Sequence, residues 1–120
     1  DKAYPGNDYD DLMSVVDELV ARKYVNDERL FVTGGSGGGI LTAWIVTKTD
    51  RFAAAASIKP VINWMTMALA ADISQYVRRH WIRADPWTDP EAFLKFSPIR
   101  YVDKVKTPTL VMVGEEDFRT

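Results

Sequence analysis

Leu30-Phe31-Val32-Thr33-Gly34-Gly35-Ser36-Gly37-Gly38-Gly39-Ile40-Leu41 decides how this chain folds, because a β-branched and aromatic run meets a serine set among glycines and then a helical pattern. That succession predicts a strand, a sharp turn and a helix. Gly34-Gly35-Ser36-Gly37-Gly38 fits G-x-S-x-G, in which small neighbours let a strained serine lift its hydroxyl at the end of a parallel strand. A side chain at Gly34 or Gly38 is expected to collide across the turn, and the bare Gly37 leaves its amide open to a substrate oxygen. Two phosphate-binding patterns fail on the same glycines. G-x-G-x-x-G begun at Gly35 meets Ile40 in place of its last glycine, and a P-loop needs Lys and Ser/Thr where Ile40-Leu41 stand. The plain alternative for the pentapeptide alone is a flexible turn joining a strand to a helix.

Working outward, Tyr4-Pro5-Gly6-Asn7 is turn chemistry, and Asp8, Asp10 and Asp11 crowd the first turn of a helix, where they complement its dipole. Leu12, Val15, Val16, Leu19 and Val20 then form one apolar stripe through residue 22, predicting a helix packed on a sheet. Lys23 stands where a helix-ending glycine is easier, at a cost of about 1 kcal/mol if the residue is left-handed. Strands are expected over residues 29–33, 53–58 and 109–113, all parallel and adjacent in that order, with Ser36 at positive φ and a helix over 39–48. The middle strand is alanine-rich but short, apolar on both faces and stopped by Lys59-Pro60, which favours a buried strand over a helix. Residues 61–106 form an excursion with helical patterns near 64–71 and 74–81, and a short helix over 91–96 that Pro90 opens. An insertion of this length is expected to carry a pocket or lid rather than core.

Composition narrows the function. The 120 residues are 47% hydrophobic and 27% charged, as in one globular unit, and carry no cysteine and one histidine. A cysteine nucleophile, disulfides and nearly every zinc site are excluded, no cofactor is called for, and a net charge of −2 offers no field for nucleic acid. No window approaches the ~18 apolar residues of a membrane span. The chain begins at Asp1 with no leader pattern, so the expectation is an internal piece of a longer protein, cytoplasmic by default.

A serine hydroxyl becomes a useful nucleophile when an imidazole takes its proton and a carboxylate orients that imidazole. Ser36 is the candidate nucleophile. Asp117, in Gly114-Glu115-Glu116-Asp117 after the third strand, is the candidate acid, since it leaves the same sheet edge as Ser36. His80, in Arg78-Arg79-His80-Trp81, falls between them, whereas G-x-S-x-G hydrolases run Ser, acid, His along the chain. It reads as a surface histidine among arginines. No strand precedes residue 29 to bring a second oxyanion donor, so the machinery is a nucleophile, an acid and one amide.

With Asp8-Tyr9-Asp10-Asp11, Gly34-Gly35-Ser36-Gly37-Gly38, Lys59-Pro60-Val61-Ile62-Asn63-Trp64, Ser97-Pro98-Ile99 before Lys106-Thr107-Pro108-Thr109-Leu110, and Gly114-Glu115-Glu116-Asp117-Phe118-Arg119-Thr120 in order, the chain resembles the prolyl oligopeptidase family of serine peptidases, in its acylaminoacyl-peptidase branch. The resemblance implies an α/β fold, a single partial α/β-hydrolase domain over residues 1–120, with a three-stranded parallel sheet, flanking helices and the excursion between the second and third strands. It implies Ser36 as nucleophile, Asp117 as acid, Gly37 as an oxyanion amide, Arg119 as a clamp on the acyl or peptide carbonyl, and Trp64 beside the pocket for the residue before the scissile bond. Peptides or acyl-peptides are the implied substrates. A β-propeller, earlier strands and a histidine-bearing segment, which the family carries, are not in these 120 residues, so the isolated chain is expected to be inactive. An esterase of the same fold is one alternative. Another is a non-catalytic module that assembles, as a homo-oligomer or with the rest of a parent enzyme, through open sheet edges.

Overall fold

The computed structural model describes residues 4–120. Its centre is a parallel sheet in the order β1 (Phe31–Gly35), β2 (Ala54–Ile58) and β3 (Thr109–Met112). Phe31 pairs with Ala54 and Gly35 with Ile58, while Ala55 pairs with Thr109 and Ile58 with Met112. The order and direction are those expected from the sequence. β1 starts two residues later than the pattern suggested, because the Asn26 side chain accepts from Glu28 N (2.9 Å) and its carbonyl from Arg29 N (3.0 Å), which winds residues 27–29 into a 3₁₀ turn. β2 alternates rather than being buried throughout: Ala55 and Ser57 face α2 and are buried, whereas Ala54, Ala56 and Ile58 are half-buried.

The helix α2 (Gly37–Val46) begins earlier than the expected residue 39, since Ser36 occupies its N-cap position and the Ser36 carbonyl accepts from Ile40 N at 2.9 Å. It is apolar all round and almost wholly buried from Gly39 onward, the expected fate of such a helix. The first helix, α1 (Asp8–Ala21), ends in a Schellman turn: Lys23 N donates to Val20 O (2.9 Å), Tyr24 N to Leu19 O (3.0 Å), and Lys23 takes φ 58°. Lys23 is therefore left-handed, the condition under which a glycine is easier there. The expectation that α1 packs on the sheet is overturned, because no residue of α1 is buried and Val15 is 58% exposed. A helix about 10 Å wide takes up roughly the width that three strands 4.8 Å apart offer on one face, and α2 already lies against β1 and β2. α1 touches α2 instead.

The excursion carries a pocket wall, as expected, but contrary to expectation it also holds an apolar core. α3 (Trp64–Ala70), α4 (Ser74–Tyr76), a π-helical stretch from Val77 to Ile82, and α5 (Pro90–Leu94) bring Trp64, Met67, Ala68, Val77, Ile82 and Phe93 together with Val61 and with Ile40 of α2. Buried polar groups lock this cluster. Ser97 Oγ accepts from Trp64 N (2.9 Å) and donates to Phe93 O (2.9 Å), joining α3 to the end of α5. Ser97→Ala leaves the buried Trp64 amide without an acceptor, so it is expected to cost about 2 kcal/mol in chemical denaturation. A loss below ~0.5 kcal/mol would show that the latch carries no weight. Asp89 caps α5 through Ala92 N at 3.0 Å, with Pro90 at its first turn as the sequence predicts. Among the described residues no helix is long and apolar enough to cross a membrane.

Candidate active site

Ser36 lies at the carboxyl end of β1 with φ 55° and ψ −118°, a conformation L-residues adopt only under strain. Three constraints impose it. Ser36 N donates to Ile58 O of β2 at 2.9 Å, the chain must reverse at once into α2, and the turn has no room for a side chain at Gly34 or Gly39. A Cβ on Gly34 would lie 2.4 Å from the Gly38 carbonyl carbon, and one on Gly39 would lie 2.5 Å from Ile58 O. Gly38, expected to be equally restricted, is open, with nothing within 4 Å of its Cβ position. The crowding sits one residue further on, where α2 crosses β2 and Ser57 Oγ donates to Gly39 O at 2.7 Å. Exposed Ser36 does not spend its hydroxyl on capping α2.

Ser36 and Gly37 open onto a cavity of about 500 Å³ whose walls are mainly apolar: Ile40, Trp64, Met67, Trp81 and Ile82, with Arg119 at the rim. Trp64 is 1% exposed and stands edge-on to Tyr4 (6.2 Å) and Trp81 (5.4 Å), in a cluster of interlocked rings. Four of the residues proposed from sequence, Ser36, Gly37, Trp64 and Arg119, therefore meet at one cavity. Asp117 lines a neighbouring hollow of about 550 Å³ that shares Arg119 and Thr120 with the first.

The Asp117 carboxylate is held by the chain that follows it. Its Oδ1 accepts from Arg119 N (2.9 Å) and Thr120 N (3.2 Å), and these amides, with the Lys59 charge as a smaller influence, hold its pKa below the ordinary value. Asp117 is thus anionic throughout the neutral range. His80 is exposed on the π-helical stretch, its ring 4.7 Å from that of Tyr76, and does not line the cavity at Ser36.

Two residues that sequence reasoning passed over belong to this site. Tyr4 stands in a turn sequence, yet its hydroxyl donates to Gly37 O at 2.6 Å and its ring lines the cavity, where burial raises its pKa. A Cβ on Gly37 would come within 3.3 Å of that hydroxyl, so the Tyr4 contact also favours glycine there. Asp72, between α3 and α4, grips Arg119 with both carboxylate oxygens, Oδ1 to Nε at 2.5 Å and Oδ2 to Nη2 at 2.8 Å. No local pattern marks either residue, since an aromatic before Pro-Gly and an acid between two apolar residues are both ordinary in loops.

The chain is 40% identical over 117 residues to the uncharacterized peptidase YuxL of Bacillus subtilis, covering 97% of this chain and 18% of that one. It is 34% identical over 120 residues to the acylamino-acid-releasing enzyme of Arabidopsis thaliana, covering 93% of this chain and 16% of that protein. Among solved structures, acylaminoacyl peptidase of Pyrococcus horikoshii superposes with a TM-score of 0.88 at 30% identity over 97% of this chain and 19% of its own. A puromycin-hydrolyzing peptidase of Mycobacterium tuberculosis superposes at 0.83 with 30% identity, over 94% and 17%. The chain thus spans less than a fifth of the length of these relatives, and its sheet and helices are part of an α/β-hydrolase fold. Since the model of the prolyl oligopeptidase family matches residues 1–120, from the helix before the strained serine to the loop that carries Asp117 and Arg119, this chain belongs to the prolyl oligopeptidase family.

Proposed function

We propose that this chain supplies the nucleophile, the acid and part of the substrate pocket of a serine peptidase that acts on acyl-peptides or short peptides. The observation that carries the reading is Ser36, forced to positive φ at a strand end and opening onto an apolar cavity rimmed by Arg119. Ser36 Oγ attacks the substrate carbonyl carbon, its proton passes to an imidazole, and the carbonyl oxygen becomes an oxyanion facing the Gly37 amide. Collapse expels the amine with that proton and leaves an acyl-enzyme, which water then hydrolyses. Asp117 orients the imidazole and stabilises its charged form. Trp64 and its neighbours bury the apolar side chain before the scissile bond, and Arg119 donates to the acyl carbonyl.

In this reading His80, which is not among the residues lining the cavity, does not supply the imidazole. A polypeptide of these 120 residues alone is accordingly expected to turn over neither esters nor acyl-peptides. Because the pKa of Asp117 is depressed, its charge, and any stability its contacts contribute, is complete above the ordinary value near 3.8 and fades only as pH falls through the lowered one. A rate that varies between pH 5 and 8 therefore reports the imidazole.

Peptidase and esterase readings separate at Arg119. In the whole protein, Arg119→Ala is expected to lower kcat/KM for an N-acetyl-aminoacyl p-nitroanilide by 10-fold or more, and for p-nitrophenyl acetate by less than threefold, since the small ester offers no acyl carbonyl to clamp. Equal losses on both would overturn the clamp and favour the esterase.

A further inference from the structure

Arg119 is not a free cation at the cavity rim. Asp72 engages it in a two-point, fork-to-fork pair, and the Asp72 backbone amide also donates to Phe118 O at 3.0 Å, so main chain and side chain of one residue hold residues 118 and 119 in place. The pair lies at the junction of α3 and α4, next to Met67 and Ile73 of the cavity wall. A guanidinium has five N–H groups; Asp72 takes the one on Nε and one on Nη2, leaving three. Those three still donate, but the positive charge is already balanced by the carboxylate beside it.

We propose that Asp72 is a specificity-determining residue: by pairing with Arg119 it turns the guanidinium into a hydrogen-bond donor for a neutral acyl carbonyl and turns away substrates whose acyl end carries a carboxylate. A second carboxylate brought to Arg119 meets the Asp72 charge a few ångströms away and must share one cation with it, whereas a neutral carbonyl needs only a free N–H. The proposal rests on the acyl-peptide reading of the Ser36 cavity. It adds to that reading one discrimination, against a carboxylate at the acyl end, and assigns it to the Asp72 pair with Arg119. The mutual shifts agree in direction, since the Arg119 contacts lower the pKa of Asp72 and the Asp72 contacts raise that of Arg119.

The test uses the whole protein and two substrates that differ only at the acyl end, an N-acetyl and an N-succinyl aminoacyl p-nitroanilide, with kcat/KM taken as a ratio within each variant. A partly folded sample does not move such a ratio. The wild-type protein is expected to favour acetyl by at least 10-fold. Asp72→Asn, which removes the competing charge, is expected to shift the ratio toward succinyl by 10-fold or more, with 1 M salt shrinking the shift. Arg119→Lys, which keeps the charge and loses the fork, should move it in the same direction by several-fold. An unchanged ratio in Asp72→Asn, or equal loss on both substrates, would overturn the role of Asp72 and leave the peptidase reading intact. Failure of that reading shows differently: Ser36→Ala would then leave both hydrolyses in place.

Discussion

Ser36→Ala in the whole protein is expected to remove acyl-peptide hydrolysis almost completely, with kcat falling on the order of 10⁴–10⁶-fold, while the folded structure stays as it is. The size follows from the role: without the oxygen there is no acyl-enzyme, and what remains is binding and oxyanion stabilisation of a water reaction. The fold should persist because the Ser36 side chain is exposed and does not cap α2, and because alanine bears the same φ of 55° with the same strain. Ser36→Gly separates strain from chemistry. It should be equally inactive yet more stable than wild type by about 1–3 kcal/mol, since glycine adopts that conformation without a Cβ penalty. Equilibrium unfolding of the three proteins measures this directly. A Ser36→Gly protein no more stable than Ser36→Ala would mean that the positive φ costs nothing, and residual turnover above a few per cent in either would dismiss Ser36 as nucleophile.

The second large effect is expected at the glycines of the turn, and it divides them. Gly34→Ala places a methyl 2.4 Å from the Gly38 carbonyl carbon, and Gly39→Ala places one 2.5 Å from Ile58 O; both obstacles are backbone and cannot rotate away. Relief requires α2 to lift from β1 or β2, so each change should cost about 3 kcal/mol and displace Ser36 with a matching loss of activity. Gly38→Ala, with nothing within 4 Å and inside a helix, should be neutral or stabilise by roughly 0.5–1 kcal/mol. The contrast tests the turn itself. If all three substitutions destabilise alike, the helix needs glycine for a reason other than this close approach.

Much of this is legible in the sequence. The G-x-S-x-G turn placed the strand, the strained serine and the helix, because those constraints are local: short-range sterics demand small residues and a β-branched run demands extension. Pro90 at the first turn of α5 was readable for the same reason. Gly38 misled because periodicity in a motif does not say which glycine faces a neighbouring strand; only the crossing of α2 over β2 puts Gly39 against Ile58.

The sequence by itself determined a three-stranded parallel α/β unit, the serine turn, Asp117 at the same sheet edge, and the family to which these belong. Only the tertiary structure decided that the apolar stripe of α1 stays off the sheet, that the excursion holds an apolar core, and that Tyr4 and Asp72 reach the site. Tyr4 meets Gly37 across 33 positions and Asp72 meets Arg119 across 47. Such contacts leave no periodicity behind, since what joins them is the path of the intervening chain through space, and that path is set by where α2, α3 and the π-helical stretch find room to bury Ile40, Trp64 and Val77 together.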